Sequence, residues 1–330
     1  MDVLIAQAAT LAATNLTSPV VLFFVLGIAA ALARSDLVVP EAFAKGLTIY
    51  LMLAIGFKGG VAVARGGITP DFLTTALAGM TLGVVIPVIA HAVLTRTRLL
   101  DPVNAAAVAA HYGSVSIVTF VAGTSLLDLL GVDFDGYMIA VTALMETPAI
   151  VIGLWLANRG LGGQDRSGFS PQLLHEVFLN GSVVLLMGAF LIGFISGETG
   201  MQAVSPFVEA PFKGVLCLFM LDMGLLAGRR LAATRVLTPG LVAFGLLMPL
   251  VSASLALGVA LLLGLSPGTA TLLMTLAASA SYIAVPAAMR IALPQANPAV
   301  YVTLSLAVTF PFNLSVGLPL YYLLASSLLS

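Results

Sequence analysis

Charge is scarce in this chain: Asp, Glu, Lys and Arg make up only 8% of its 330 residues, where a soluble domain carries about 25%. So few charges cannot coat a water-facing surface, which excludes an ordinary soluble protein. Basic residues are no commoner than acidic ones, 13 Lys+Arg against 14 Asp+Glu. No broad basic face exists, and nucleic acid is excluded as a partner. Cysteine is nearly absent. Cys217 lies inside an apolar stretch, so a disulfide within the chain is excluded and the redox compartment stays unread. The sequence has no Gly-x-x-x-x-Gly-Lys-Ser/Thr, no His-Glu-x-x-His and no Cys-x-x-Cys, so neither nucleotide-driven work nor an enzyme is expected, and no cofactor is implied. No Lys or Arg precedes the apolar residues of Met1 to Ser18. That segment lacks the basic start of a secretion signal and reads as a short exposed lead-in.

What the chain has in quantity is apolar sequence, 60% of residues with a mean hydropathy of +1.12. A membrane crossing takes ~20 such residues, so ten crossings use about two thirds of the chain. Apolar runs bounded by charge, Pro or Gly predict an all-α membrane protein with ten spans. Five lie at about 18–33, 40–63, 72–94, 103–127 and 137–157, and five at about 178–196, 206–228, 241–264, 268–288 and 300–324. The longest polar connection, 158–176, carries Arg159, Asp165, Arg166, His175 and Glu176. It separates a first unit, 1–157, from a second, 177–330. Ten spans put both termini on one side of the bilayer. The opposite side holds Arg34, Lys45, Arg96, Arg98, Arg159, Arg166, Arg229, Arg230, Arg235 and Arg290, and the termini side only Arg65 and Lys213. By the excess of positive charge on cytoplasmic loops, the 158–176 linker is expected inside and both termini outside.

An internal repeat emerges when the second half slides over the first by about 164 residues. Gly60, Ala64 and Arg65 then fall on Gly224, Gly228 and Arg229, Pro87 near Pro249, Gly113-Ser114-Val115-Ser116 on Ala278-Ser279-Ala280-Ser281, and Pro148 near Pro311. Each half has an odd number of spans, so the second must enter the membrane from the opposite face. The expectation is two inverted five-helix repeats, a plan of secondary transporters that places the substrate near the midplane, between interrupted helices.

Spans four and nine are the expected interruptions. Their centres read His111-Tyr112-Gly113-Ser114-Val115-Ser116 and Ser279-Ala280-Ser281-Tyr282 ahead of Pro286, and a backbone break at this depth needs protein or a cavity around it. Half-helices beginning near Ser114 and Ser281 would turn free backbone N–H groups and positive dipole ends toward a small anion. Close helix packing by small residues is the competing explanation of the serines. Glu146, with Thr147 ahead of Pro148 in span five, is costly at mid-membrane and therefore a functional candidate. Oxygen ligands from Glu146, Thr147 and carbonyls freed by Pro148 suit a hard cation such as Na⁺, and span ten offers Thr309 and Asn313 around Pro311. The alternative for Glu146 is a protonated carboxyl that cements helices. Lys58 and Asp222 occupy equivalent positions and are expected to approach each other as a charge pair, unless Lys58 snorkels to the interface. His111 is either a proton relay or a hydrogen-bonded structural histidine.

The residues 53–60 (Leu-Ala-Ile-Gly-Phe-Lys-Gly-Gly), the Gly113–Ser116 centre, Glu146-Thr147-Pro148, Leu221-Asp222-Met223-Gly224, and the run from Ala277 through Arg290 to Pro298 together resemble the sodium-dependent bicarbonate permease family, known from cyanobacterial carbon-concentrating systems. The resemblance spans about Ser18 to Leu324. It implies a sodium-coupled importer of bicarbonate in a bacterial plasma membrane, working by alternating access between a core with broken helices and a gate domain, as a homotrimer. Carried over, the anion site is expected at Gly113, Ser114, Ser116, Ser279 and Ser281, and the transported Na⁺ at Glu146, Thr147 and Asn313. Two features depart from the family pattern. Tyr282 stands where an acidic residue follows the serine run; its hydroxyl can donate to an anion but cannot balance Na⁺. The polar linker is short, which puts a PII-like cytoplasmic regulator in doubt. Another small anion such as a short carboxylate, and a non-transporting receptor that signals to a cytoplasmic partner, remain open readings of the same pocket.

Overall fold

The computed structural model describes residues 13–160, 181–233 and 236–329. From residue 161 on, the expected 158–176 linker lies outside the described residues. In chain order the helices are α1 Pro19–Leu32, α2 Glu41–Gly66, α3 Pro70–Arg96, α4 Pro102–Gly113, α5 Ile117–Leu130, α6 Met138–Gly160, α7 Gly181–Val208, α8 Phe212–Ala233, α9 Pro239–Leu263, α10 Pro267–Ala278, α11 Ala284–Ala292 and α12 Pro298–Leu328. Among the described residues there is no strand.

Six of these helices start by one device, a small polar residue followed by Pro. Ser18, Thr69, Asp101, Thr238, Ser266 and Asn297 each accept a bond from a backbone N–H of the first turn, and each precedes a Pro at the first helical position. The cap oxygen satisfies an orphan N–H, and Pro supplies the helical φ where no donor is needed. Such starts matter more in lipid, where water cannot serve the free N–H groups.

Seven helical stretches among the described residues are long and apolar enough to cross a membrane, counting 102–130 as one, and α1 and α10 are shorter apolar helices. Large hydrophobic side chains point outward along α3, α7 and α9, with Ile195 82% and Leu262 87% exposed. The chain is a multi-pass membrane protein. The inner helices have no such face: every residue from Ala105 to Gly113 of α4 and from Gly268 to Ala278 of α10 is buried.

Glycine sets the closest helix crossings. A Cβ on Gly60 of α2 would strike the carbonyl of Phe190 in α7, and one on Gly193 of α7 would strike that of Phe57. Likewise a Cβ on Gly27 of α1 would strike the carbonyl of Leu221 in α8, and one on Gly224 of α8 that of Phe24. Such backbone-to-backbone seats are how helices associate without a hydrophobic drive. α2 therefore packs on α7 and α8 on α1, while α3, α4 and α6 form one packed set and α9, α10 and α12 another.

One helix junction lies away from its expected place, and one helix is irregular inside. The seventh span does not begin at Pro206: α8 starts at Phe212, and Pro206 lies in α7, which bends at Gly197 (φ 56°) into the segment 198–208. That segment is held on α2 by the Tyr50 hydroxyl, which donates to the Phe207 carbonyl at 2.6 Å, and by an edge-on contact of the two rings. α12 carries two π-helical stretches, Leu304–Thr309 and Asn313–Gly317, on either side of Pro311. Pro cannot donate to the preceding turn, and wider turns around it take up the strain.

Candidate functional site

Both expected interruptions are present, and both are buried. α4 ends at Gly113 and α5 begins at Ile117; α10 ends at Ala278 and α11 begins at Ala284. The first halves end alike. Ser114 (φ −86°, ψ 167°) and Ser279 (φ −78°, ψ 164°) turn the chain out of the helix in the same extended conformation. A ring explains the position of the first turn: a Cβ on Gly113 would run into Pro87 of α3, so the chain passes that proline only as glycine.

The breaks lean on each other. The Ser116 N–H donates to the Ser279 hydroxyl at 2.8 Å, and that hydroxyl donates to the Leu276 carbonyl, also at 2.8 Å. From the other side, the Ser281 N–H donates to the His111 carbonyl at 2.8 Å. The His111 ring stacks on Tyr301 with centroids 4.4 Å apart, and its Nδ1 lies 2.6 Å from the Ala107 carbonyl. Ser116 caps α5 by accepting from the Thr119 N–H at 3.2 Å. These bonds serve part of the backbone freed by the two breaks.

Between the breaks is a cavity of about 10 Å³, lined by Ser116, Ser281, Tyr282 and Glu146 together with Met52, Val115, Ile117 and Ile283. That is room for roughly one water. Glu146 is 2% exposed and makes no ion pair among the described residues. The Tyr282 hydroxyl is buried next to Ser116, close enough to interact with it but without a hydrogen bond of good geometry, and the Ser114 hydroxyl is buried without a partner. A buried hydroxyl left unpaired costs about 1–3 kcal/mol. Of the two, only Tyr282 lines the cavity, where its hydroxyl is left with bonding capacity to spare.

The other expected site residues fall elsewhere. Gly113, Ser114 and Ser279 stand behind the cavity wall rather than in it. Thr309 and Asn313 do not line the cavity that Glu146 lines. The Thr309 hydroxyl donates to the Gly245 carbonyl at 2.8 Å and meets the Tyr112 hydroxyl at 2.5 Å. The Asn313 amide donates to the Ala278 carbonyl, and its oxygen accepts from the Tyr321 hydroxyl, both at 2.8 Å. Both brace the ends of the first half-helices. The side chain of Thr147 lies outside the described residues. Lys58 and Asp222 do not pair: the Lys58 ammonium sits 5.2 Å from the centre of the Phe212 ring. Asp222 is ten residues farther along α8, roughly 15 Å of helical rise, and the cation whose charge reaches it is Arg229. Sequence reasoning missed the apolar lining, Met52 above all, because nothing in α2 marks which of its faces meets the breaks. The cost of a buried carboxylate was the one signal that led from the sequence to Glu146.

Among the described residues no three His, Cys, Asp or Glu side chains cluster as a metal site. A lone carboxylate beside hydroxyls suits a monovalent hard cation better than a resident transition metal. No curated protein matches the chain. The Na+-dependent bicarbonate transporter superfamily matches residues 19–326, nearly the whole chain, and the protein belongs to that superfamily.

Proposed function

We propose that the protein is a sodium-coupled symporter that imports bicarbonate across a bacterial plasma membrane. One observation carries this reading: residues of both breaks and the Glu146 carboxyl line the same buried cavity. Bicarbonate is an anion that also bears one hydroxyl. Its charged oxygens suit the Ser116, Ser281 and Tyr282 hydroxyls and the start of α5, whose dipole favours negative charge. Its hydroxyl needs an acceptor, and Glu146 supplies one. A carboxylate and an anion in one cavity repel each other unless a cation lies with them, which is why anion and Na⁺ would bind together.

Ten crossings in two inverted five-helix repeats account for the packing. The first helix of each half sits on the second helix of the other, through Gly27–Gly224 and Gly193–Gly60, and the matching helices α3 and α9, and α4 and α10, open with the same polar–Pro start. In this reading α1, α2, α7 and α8 form the gate and the remaining helices the core, three copies assemble, and a cavity this small is a closed state that opens by relative motion of the two parts. The apolar wall of Met52, Ile117 and Ile283 favours one competitor, a short carboxylate whose methyl group would rest there.

Uptake of labelled bicarbonate into proteoliposomes, with and without an inward sodium gradient, tests the assignment. Uptake is expected to follow the gradient and to lose its sodium dependence in Glu146→Gln. Uptake indifferent to sodium in the wild type overturns the coupling, and acetate competing better than bicarbonate transfers the assignment to the carboxylate.

A further inference from the structure

Three cavities follow one another along α5. The central one touches Ile117; a second of about 10 Å³ touches Ile117, Val118 and Val121; the largest of the three, about 110 Å³, touches Ala122, Ser125, Leu126 and Leu129. From Ile117 to Ser125 is roughly 12 Å of helix. α8 lines the same seam, with Leu216 and Phe219 on the middle cavity and Lys213 and Cys217 on the largest. The middle cavity is otherwise apolar apart from Thr48. The largest lies at the end of the molecule where α1 begins, and Ser18, Val20 and Val21 of that first turn line it.

Its chemistry differs from that of the seam below it. Its walls are mainly apolar, but the exposed Lys213 is the one charged residue in its lining; Asn15 is spent on the Leu314 carbonyl and Ser18 caps Val21, which leaves Ser125 as the further hydroxyl. The Lys213 ammonium forms no ion pair among the described residues. The positive end of α1 points into the same space. Asp128 and Glu209 belong to neighbouring turns but not to the lining. An exposed ammonium, a helix start and the Ser125 hydroxyl at the rim of an otherwise apolar cavity offer a small anion the only charge in the lining, and Leu216, Phe219 and Val121 separate it from the central site by an apolar constriction.

We propose that this pocket is a second, outer binding site for a small oxyanion, an antechamber in which Lys213 gathers the substrate before it passes along the α5–α8 seam. The proposal extends the transport reading and names the side from which its anion arrives. Lys213 is a binding residue here, and the constriction keeps the two sites from being occupied as one.

The single cysteine of the chain, Cys217, lines the pocket and reports on it without engineering. In nanodiscs free of sodium, Cys217 is labelled with anionic sulfonatoethyl and cationic trimethylammonioethyl methanethiosulfonates; the thiolate displaces a sulfinate from either reagent and forms a mixed disulfide. Relative to the rate ratio for a small free thiol in the same buffer, the anionic reagent is expected to be favoured roughly fivefold or more. Lys213→Gln abolishes that preference, Lys213→Arg keeps it, and added bicarbonate slows the anionic reagent in the wild type but not in Lys213→Gln. In uptake, Lys213→Gln raises KM several-fold with kcat unchanged. A rate ratio equal to that of the free thiol and insensitive to residue 213, as a lipid-filled pocket would give, overturns the proposal, and so does a Cys217 that neither reagent reaches. Labelling needs no transport. Protein that shows the charge preference but moves no bicarbonate refutes the transport reading and leaves the anion site standing.

Discussion

The two breaks are matched in their backbones and unmatched in their bonds. Ser114 and Ser279 leave their helices with nearly the same dihedral angles, but the Ser279 hydroxyl ties the two breaks together while the Ser114 hydroxyl binds nothing. After that point the difference widens. α5 starts after three unwound residues, capped by Ser116. α11 starts after five unwound residues, with Ile283 as its cap and no side-chain cap bond; the Ser281 hydroxyl accepts from the Val285 N–H at a long 3.4 Å, and Pro286 has no N–H at all. A helix start whose donors are already engaged is a frame. One with a loose first turn next to an unpartnered tyrosine is the part that a ligand can order. The lesson is that two breaks can leave their helices with the same backbone turn while dividing rigidity and response between them.

The largest effect that would test this division comes at the point where the chain leaves the first half-helix. Gly113 faces the Pro87 ring with no room for a Cβ, whereas the equivalent position already holds Ala278. Gly113→Ala is expected to cost about 3 kcal/mol, at the upper end of overpacking, and to lower the thermal midpoint in detergent sharply. Ala278→Gly should cost only about 1 kcal/mol, the usual helix-propensity difference. Equal losses at the two positions would mean that the first break is no more constrained than the second.

A middle-sized effect separates the serines. Ser279→Ala leaves the buried Ser116 N–H unpaired, with an expected loss of about 1–3 kcal/mol. Ser281→Ala removes only a long bond to Val285 and should cost less than about 1 kcal/mol, while weakening bicarbonate uptake more than Ser279→Ala does at a temperature where both variants stay folded. Chemical denaturation in detergent and initial uptake rates give the two rankings. If they run in the same order, the hydroxyl that holds the frame and the hydroxyl that faces the ligand are not distinct.

Much of this frame was legible in the residues. Clusters of Ser, Gly and Ala at the centres of two apolar spans, the second ahead of Pro286, pointed to both breaks, and the intramembrane cost of a carboxyl pointed to Glu146. The half-helices begin about three residues beyond Ser114 and Ser281, because each break keeps an extended stretch before its next helix can start. Six polar–Pro helix starts were readable too, and they place α3, α4 and α10 within one or two residues of the boundaries set by apolar residues. Pro206 misled because a proline inside a bent helix looks like a proline that opens one. Lys58 and Asp222 misled for a different reason: equivalence in sequence is not proximity, and Lys58 meets α8 at Phe212 in its first turn while Asp222 lies ten residues farther along that helix. Met52 in the cavity wall follows from tertiary packing alone, and no local pattern announces it.

The smallest effect is the most informative about the second break. Tyr282 is buried, its ring lies edge-on to Phe310 with centroids 5.5 Å apart, and its hydroxyl has no hydrogen bond. If that hydroxyl served the fold, its removal would expose a cost; as it serves nothing in the protein, Tyr282→Phe should leave stability within about 0.5 kcal/mol of wild type or raise it slightly. The same change should raise KM for bicarbonate about tenfold, the loss of one hydrogen bond to a charged ligand at roughly 1.4 kcal/mol, with sodium dependence intact. A stability loss above 1 kcal/mol would make Tyr282 a structural residue like Asn313. An unchanged KM would take it out of the anion site and leave Ser116 and Ser281 to hold the ligand alone, so that the aromatic insertion into the second break would alter the walls of the cavity and not its chemistry.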